Sequence, residues 1–286
     1  MSVETTGWTP NGFAAATFAR TFTRAAATGD DAERGDVEMK RPPVIGAWVD
    51  MAALAPAEIL AAAGFDFLLI DLEHGPAAME TAHAQILAAE RWGATAVVRV
   101  AKGDDPWIKH ALDLGAGAIM CPAVETAEQA EAAARAFRFG PVGRRGAGTR
   151  LVRASNFGAD PDYELRWNET GFLILQIESP EALANAAEIA AVQGVGCLFF
   201  GPSDYAAAAG YPGGAAVKAA YRRLRDIAHR AGLYVGAVPF ADVTAHDLAH
   251  DPDLKADIIP AGSDIGLLRR SAEAALAAAR GDLTKA

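Results

Sequence analysis

A (β/α)8 barrel is the fold class that three features of this 286-residue chain predict. Short apolar runs alternate with Ala-rich amphipathic stretches from Pro43 onward. The alternation counts eight of each. The residues best suited to chemistry stand just where apolar runs end, which is where barrel enzymes carry their sites. A doubly wound open sheet is the lesser alternative.

The strand candidates, in order, are Val44–Val49, Phe67–Ile70, Ala96–Arg99, Ala118–Cys121, Phe172–Gln176, Cys197–Phe200, Tyr234–Ala237 and Asp257–Ile259. Most are apolar without interruption, as parallel strands covered on both faces require. Helices are expected at Pro56–Ala63, Met79–Trp92, Pro106–Leu114, Ala127–Phe137, Pro180–Ala190, Ala215–Ala231, Ala241–His250 and Gly266–Arg280. Several open on a proline, and Gly64, Gly93, Gly115 and Gly232 follow helix ends, matching the capping preferences. The connection from Arg138 to Gly171 carries Gly143, Gly146, Gly148 and Gly158 and reads as a functional loop. Residues 1–40 read as an N-terminal extension, a helix over Phe13 to Thr28 and then a charged flexible joint. The catalytic barrel domain is expected over 41–286.

Composition excludes several classes of function. The chain is 51% hydrophobic and 22% charged, enough for a large core. Its formal net charge of -10 argues against nucleic acid, which needs clustered Lys and Arg. Arg144, Arg145, Arg150 and Arg153 are the densest basic group, and glycines space them within one loop. Two cysteines, Cys121 and Cys197, make no disulfide framework and suit a reducing cytoplasm. No apolar run approaches the roughly 20 residues of a membrane span, so no membrane partner is expected.

Four strand ends carry the candidate chemistry. Gln176-Ile177-Glu178-Ser179-Pro180 follows one apolar run and Gly201-Pro202-Ser203-Asp204-Tyr205 follows the next. Glu178 and Asp204 thereby place two carboxylates at neighbouring strand ends, an oxygen-rich pair suited to a hard divalent cation. Acids are also favoured at helix starts, and that is the competing reading. Asp71 and His74, in Asp71-Leu72-Glu73-His74-Gly75, are the acid/base candidates. The other five histidines fall on expected helices and read as structural. Arg99 ends Ala96-Val97-Val98, and a buried arginine there needs an anion. That anion is either a substrate carboxylate or enolate, or Asp71 or Glu73. Gly201, Pro202 and Ser203 can offer backbone N–H groups to a substrate carboxylate.

In order and spacing, Asp71-Leu72-Glu73-His74-Gly75, Val98-Arg99-Val100, Gln176-Ile177-Glu178 and Gly201-Pro202-Ser203-Asp204 resemble the HpcH/HpaI aldolase family. The resemblance runs from about Arg41 to Arg280. It also takes in Gly46-Ala47-Trp48 and Gly143-Arg144-Arg145-Gly146. It implies a class II pyruvate aldolase on a (β/α)8 barrel, using Mg²⁺, Mn²⁺ or Co²⁺ and forming a homo-oligomer, a hexamer. Glu178 and Asp204 would then hold the metal, and His74 paired with Asp71 would be the base. Arg99 would stabilise the pyruvate enolate, Glu73 would support a metal-bound water, and Gln176 with Gly201 to Asp204 would bind pyruvate. Tyr205 and Ser203 depart from the family's usual Leu and Ala.

The expected reaction is reversible cleavage of a 4-hydroxy-2-oxo acid, of the 2-keto-3-deoxy sugar acid or 4-hydroxy-2-oxo-heptanedioate type, to pyruvate and an aldehyde. Two other readings compete. One is condensation of the enolate with a keto acid or a pyrone, as in the citrate-synthase-like and macrophomate-synthase-like relatives. The other is a non-catalytic barrel scaffold, which the intact charges at all four strand ends disfavour. A Schiff-base aldolase is disfavoured as well. Of six lysines, only Lys102 lies near a strand's C-terminal end, beside Gly103 in a loop.

Overall fold

The computed structural model describes residues 42–281. Eight parallel strands, β1 (Val44–Val49), β2 (Phe67–Asp71), β3 (Thr95–Arg99), β4 (Ala118–Cys121), β5 (Phe172–Ile177), β6 (Val195–Phe200), β7 (Tyr234–Ala237) and β8 (Ile258–Ser263), pair in chain order and close. The barrel is therefore a (β/α)8 barrel. The expected extension over residues 1–40 lies outside the described residues.

Around the strands run α1 (Leu54–Ala62), α2 (Met79–Arg91), α3 (Asp105–Asp113), α4 (Ala127–Phe137), α5 (Tyr163–Thr170), α6 (Pro180–Ala184), α7 (Ala186–Ala190), α8 (Pro202–Ala208), α9 (Gly214–Arg230), α10 (Ala245–His250) and α11 (Asp264–Gly281). Threonine starts two of them. Thr126 and Thr244 each accept a hydrogen bond from the backbone three residues on, and each closes a reciprocal capping box.

Strand side chains alternate between two cores. Leu68, Ile70, Val98, Leu173 and Leu198 face outward and pack with the helices. Phe67, Leu69, Val97, Met120, Ile174 and Phe199 fill the barrel. Gly46 belongs to this inner filling, because a Cβ there would lie 2.4 Å from the Phe67 ring. Position parity then decides what reaches the mouth. Continuing the inward series of β2, β3 and β5 by two residues gives Asp71, Arg99 and Gln176, and the register sets Asp71 directly beside Arg99.

Four expectations are corrected. The fifth expected helix, Pro180–Ala190, is two short helices that meet at Asn185. Strand eight begins at Ile258, not Asp257, and runs on through Pro260 and Gly262, with an irregular register opposite Gly46 to Trp48. Proline and glycine inside a run count against a strand, and the bulge accommodates them. The segment from Arg138 to Gly171 holds a 3-10 turn and α5. It also sits at the end of the barrel away from the site, because a helix-to-strand connection returns to the strands' N-terminal ends. Buried Arg145 pins this segment. Its guanidinium lies 4.4 Å from the Phe139 ring centroid and 5.3 Å from that of Trp167, and it pairs with Asp113 at 2.9 Å. Arg153 reaches the Leu114 carbonyl at the end of α3, at 3.0 Å. The Gly-rich loop is thus an anchored part of the scaffold.

The expected last helix is present as α11, tied to its own barrel at Asp264, which is buried and accepts from the backbone N–H groups of Asp50 and Met51. Every described residue beyond Gly266 is exposed, Leu268 and Leu276 among them.

Candidate active site

Asp71 is fully buried, and its two oxygens take a forked pair of hydrogen bonds from Arg99, Nε at 2.8 Å and Nη2 at 2.7 Å. The backbone N–H groups of Glu73 and His74 also donate to it, at 2.9 and 3.3 Å. Burial alone would raise this carboxyl, but the hydrogen bonds and charge of Arg99 outweigh it and hold the group below its usual range. The third face of the guanidinium meets Glu73 Oε2 at 2.7 Å, and Arg99 stacks 4.6 Å from the centroid of the Trp48 ring. The anion that Arg99 requires is therefore within the protein. Asp71 orients Arg99 and the turn after β2, and its hydrogen bond with His74 is to the backbone N–H, not the imidazole. That ring is exposed, with Nε2 3.8 Å from Glu73 Oε2.

Glu178 occupies the turn after β5. Oε1 accepts from the Ala123 N–H at 2.7 Å, and Oε2 accepts from Gln176 Nε2 at 3.1 Å. Ala123 aims that N–H from a left-handed backbone conformation, φ 51°, which costs an alanine roughly 1–2 kcal/mol. Burial pushes the Glu178 carboxyl up to about 7 against the Ala123 hydrogen bond, and the negative charges of Asp204 and Glu73 add to the rise. Asp204 is exposed on the first turn of α8, and its charge also helps raise Glu73, after burial.

Among the described residues, no group of three or more His, Cys, Asp or Glu is arranged to hold a metal. The donor set on offer is two carboxylates, as a magnesium-type ion that keeps its waters accepts. Two observations fit a cation. The charges of Asp204 and Glu73 add to the rise of the Glu178 carboxyl, and the buried Oε1 of Gln176 accepts no hydrogen bond.

Gly201 opens room for this arrangement. A Cβ there would stand 2.5 Å from Glu178 Oε2 and 2.7 Å from its Cβ, so the whole residue would have to move. Gly201→Ala is expected to leave the barrel folded while weakening half-saturation by Mg²⁺ at least about tenfold, the cost of a misplaced ligand contact of roughly 1.4 kcal/mol. Activity titrated against the cation measures this. Pro202 is buried and Ser203 exposed, so α8 offers its backbone more than its side chains.

A cavity of about 430 Å³ opens beside the site, bounded on one side by Asp71, His74, Arg99 and Trp48 and on the other by Asp50, Val238, Pro239, Ser263 and Arg270. Among the described residues, His74 is the one histidine on its wall. Burial, then the charges of Asp264 and Asp71, push the Asp50 carboxyl up to about 6. Sequence reasoning missed Asp50, Ala123, Ser263 and Arg270, and read Trp48 only as a strand residue. Parity could have found Trp48, two residues beyond Gly46. No local pattern marks the others.

The model of the family described as HpcH/HpaI aldolase/citrate lyase matches residues 44–270. The chain is 41% identical over 237 residues to a hydroxypyruvate/pyruvate aldolase of Delftia acidovorans, covering 82% of this chain and 87% of that protein. It is 36% identical over 239 residues to a 4-hydroxy-2-oxo-heptane-1,7-dioate aldolase of Escherichia coli, covering 81% and 88%. A crystal structure of an HpcH/HpaI aldolase/citrate lyase family protein from Burkholderia cenocepacia J2315 superposes with a TM-score of 0.78 at 33% identity, covering 84% of this chain and 95% of that one. A barrel of this length, matched almost end to end by relatives at that level of identity, belongs to the HpcH/HpaI aldolase/citrate lyase family and is a carbon–carbon lyase.

Proposed function

We propose that the chain catalyses reversible aldol cleavage of a 4-hydroxy-2-oxo acid to pyruvate and an aldehyde, with a divalent cation (Mg²⁺, Mn²⁺ or Co²⁺) held by Glu178 and Asp204. The observation that carries this reading is the convergence of carboxylates at the strand ends. Glu178 stands after β5, held by the Ala123 N–H and Gln176. Asp204, on the first turn of α8, and Glu73, paired with Arg99, are close enough for their charges to add to the rise of the Glu178 carboxyl. When bound, such a cation supplies Lewis acidity toward the carboxylate and 2-oxo group of the substrate.

The protein's own residues do the rest. Arg99, fixed by Asp71 and Glu73, donates to the 2-oxo oxygen as negative charge collects there. Preorganised donors of this kind are worth about 2.7–4 kcal/mol each. Gln176 and the backbone from Gly201 to Asp204 hold the substrate carboxylate. His74 takes the proton of the 4-hydroxyl. That O–H pair becomes the aldehyde C=O, the C3–C4 bond breaks, and its electrons pass into the pyruvate enolate. Protonation at C3 then completes pyruvate. Glu73 is the carboxylate that faces the His74 ring, its Oε2 3.8 Å from Nε2. The names of the relatives make pyruvate and hydroxypyruvate the donors to try first. They make 4-hydroxy-2-oxo-heptane-1,7-dioate the cleavage substrate to try first.

Cleavage is tested by pyruvate release from that diacid with and without chelator, and the enolate by deuterium entering the methyl group of pyruvate in heavy water. Absence of both with added Mg²⁺, Mn²⁺ and Co²⁺ would sink the reading. His74→Ala is expected to lower kcat by about 10²- to 10⁴-fold with KM little moved, since the imidazole moves a proton and does not hold the acid. Steady-state kinetics decides, and near-normal turnover would reassign His74 to the turn.

The working form is a homo-oligomer, a hexamer, in the cytoplasm. The apolar positions of α11 that find no cover on their own barrel support assembly, Leu268 at 59% and Leu276 at 50% exposure. Light scattering behind size exclusion should give a multiple of the chain mass, and a clean monomer at micromolar concentration would contradict assembly. Among the described residues, no helix is long and apolar enough to cross a membrane.

A further inference from the structure

The cavity has a far wall that the aldol chemistry above does not use. It lies across from Arg99 and is built from the loop after β7, the end of β8 and the first turns of α11. Val238, Pro239, Pro260 and Ala261 make most of this wall apolar, and Arg270 is its one cation. Unlike Arg99 and Arg145, Arg270 is in ion pairing with no carboxylate among the described residues. Its guanidinium lies over two glycines, closely over Gly266 and at ordinary contact distance over Gly262. Nη1 lies 3.3 Å from where a Cβ on Gly266 would stand, and Nη2 lies 3.9 Å from that on Gly262.

Resting on the aldolase reading, we propose that Arg270 is a specificity-determining residue that binds the distal carboxylate of an acidic acceptor aldehyde. The 2-oxo acid end of the substrate is held at Arg99 and the strand ends of β5 and β6, so the carbons beyond C4 run toward the β7–β8 side. About 430 Å³ falls toward the small end of ligand sites, roughly 300–1,000 Å³, and suits a short chain better than a bulky sugar. An apolar wall followed by one guanidinium matches an aldehyde with methylenes and a terminal carboxylate. The planar fork of arginine meets that carboxylate with two donors. A monoanion is favoured over a phosphate, because a single guanidinium compensates one charge and Asp50 and Asp71 share the cavity with it.

The test compares pyruvate addition to succinic semialdehyde, to butyraldehyde, which has the same four carbons and no charge, and to glyceraldehyde 3-phosphate. Arg270→Gln is expected to lower kcat/KM for succinic semialdehyde about 10- to 100-fold more than for butyraldehyde, the worth of a charge-assisted hydrogen bond. Arg270→Lys should fall between, keeping the charge and losing the fork. Equal losses on the acidic and neutral aldehydes, or no loss on either, would overturn the assignment. A larger selective loss with glyceraldehyde 3-phosphate would overturn the carboxylate as its ligand. Deuterium exchange into pyruvate, followed in the same variants, reports the donor half alone. Its absence in the unaltered enzyme would strike the aldolase reading itself, whereas its persistence with unselective kinetics would strike only Arg270.

Discussion

Glu178→Gln is expected to cut pyruvate release by more than about 10³-fold at saturating Mg²⁺, leaving the barrel folded. The amide keeps the shape of the side chain and an oxygen for the Ala123 N–H, but removes the anion. A stability readout separates loss of cation binding from general damage. In cation-free protein the Glu178 carboxyl is raised by burial from 4.5 to about 7. The folded state thus binds this proton more tightly than the unfolded state. The stability it contributes is present below about pH 4.5 and is lost as pH rises through about 7. The variant lacks this dependence, so in chelator the unaltered enzyme should lose melting temperature relative to it between those pH values. Added Mg²⁺ or Mn²⁺ should restore the unaltered enzyme by mass action and leave the variant unmoved. Full turnover in excess chelator, or an equal thermal shift in both proteins, would refute a cation at Glu178.

Arg99→Ala should damage both catalysis and folding. The Arg99 side chain is 7% exposed, satisfies both oxygens of Asp71, pairs with Glu73, and lies over Trp48. Its removal leaves a fully buried carboxylate with only two backbone donors, and breaking a buried pair in this way costs about 3–5 kcal/mol. Urea unfolding near neutral pH should show that loss. The pH dependence should also change sign. Asp71 is now held below its usual range, so it contributes stability above about pH 3.9 that is lost on acidification. Without Arg99, burial dominates and stability should instead improve on mild acidification. Among protein still folded, kcat/KM should fall by more than about 10³-fold, with KM for the oxo acid raised, because the same group meets ground state and enolate. Unchanged stability would mean that Arg99 serves the substrate alone.

Much of the site was legible for one physical reason. Side chains on a strand alternate with period two, so once Phe67-Leu69, Val97 and Ile174 are read as barrel filling, Asp71, Arg99 and Gln176 must reach the mouth. The same rule puts Glu178 just past the last turn of β5. What Arg99 pairs with was not legible, because both a substrate anion and its neighbours satisfied the charge. Only the register of β2 against β3 chose Asp71. The length of β8 was missed because local propensity does not register a bulge whose cause is the neighbouring strand. The split of Pro180–Ala190 falls at Asn185, whose side chain donates to the distant Glu125 carbonyl.

The sequence alone determined the eightfold alternation, the barrel, and four chemistry-bearing strand ends. Each follows from periodicities of two or 3.6 residues and from short-range capping, which are properties of adjacent residues. Tertiary structure decided the rest. It placed the Arg138–Gly171 segment on the far end, turned the Ala123 N–H toward Glu178, left α11 exposed beyond its first turn, and set Arg270 across the cavity from Arg99. These depend on contacts between residues dozens to hundreds of positions apart, and such contacts leave no periodic trace in the chain.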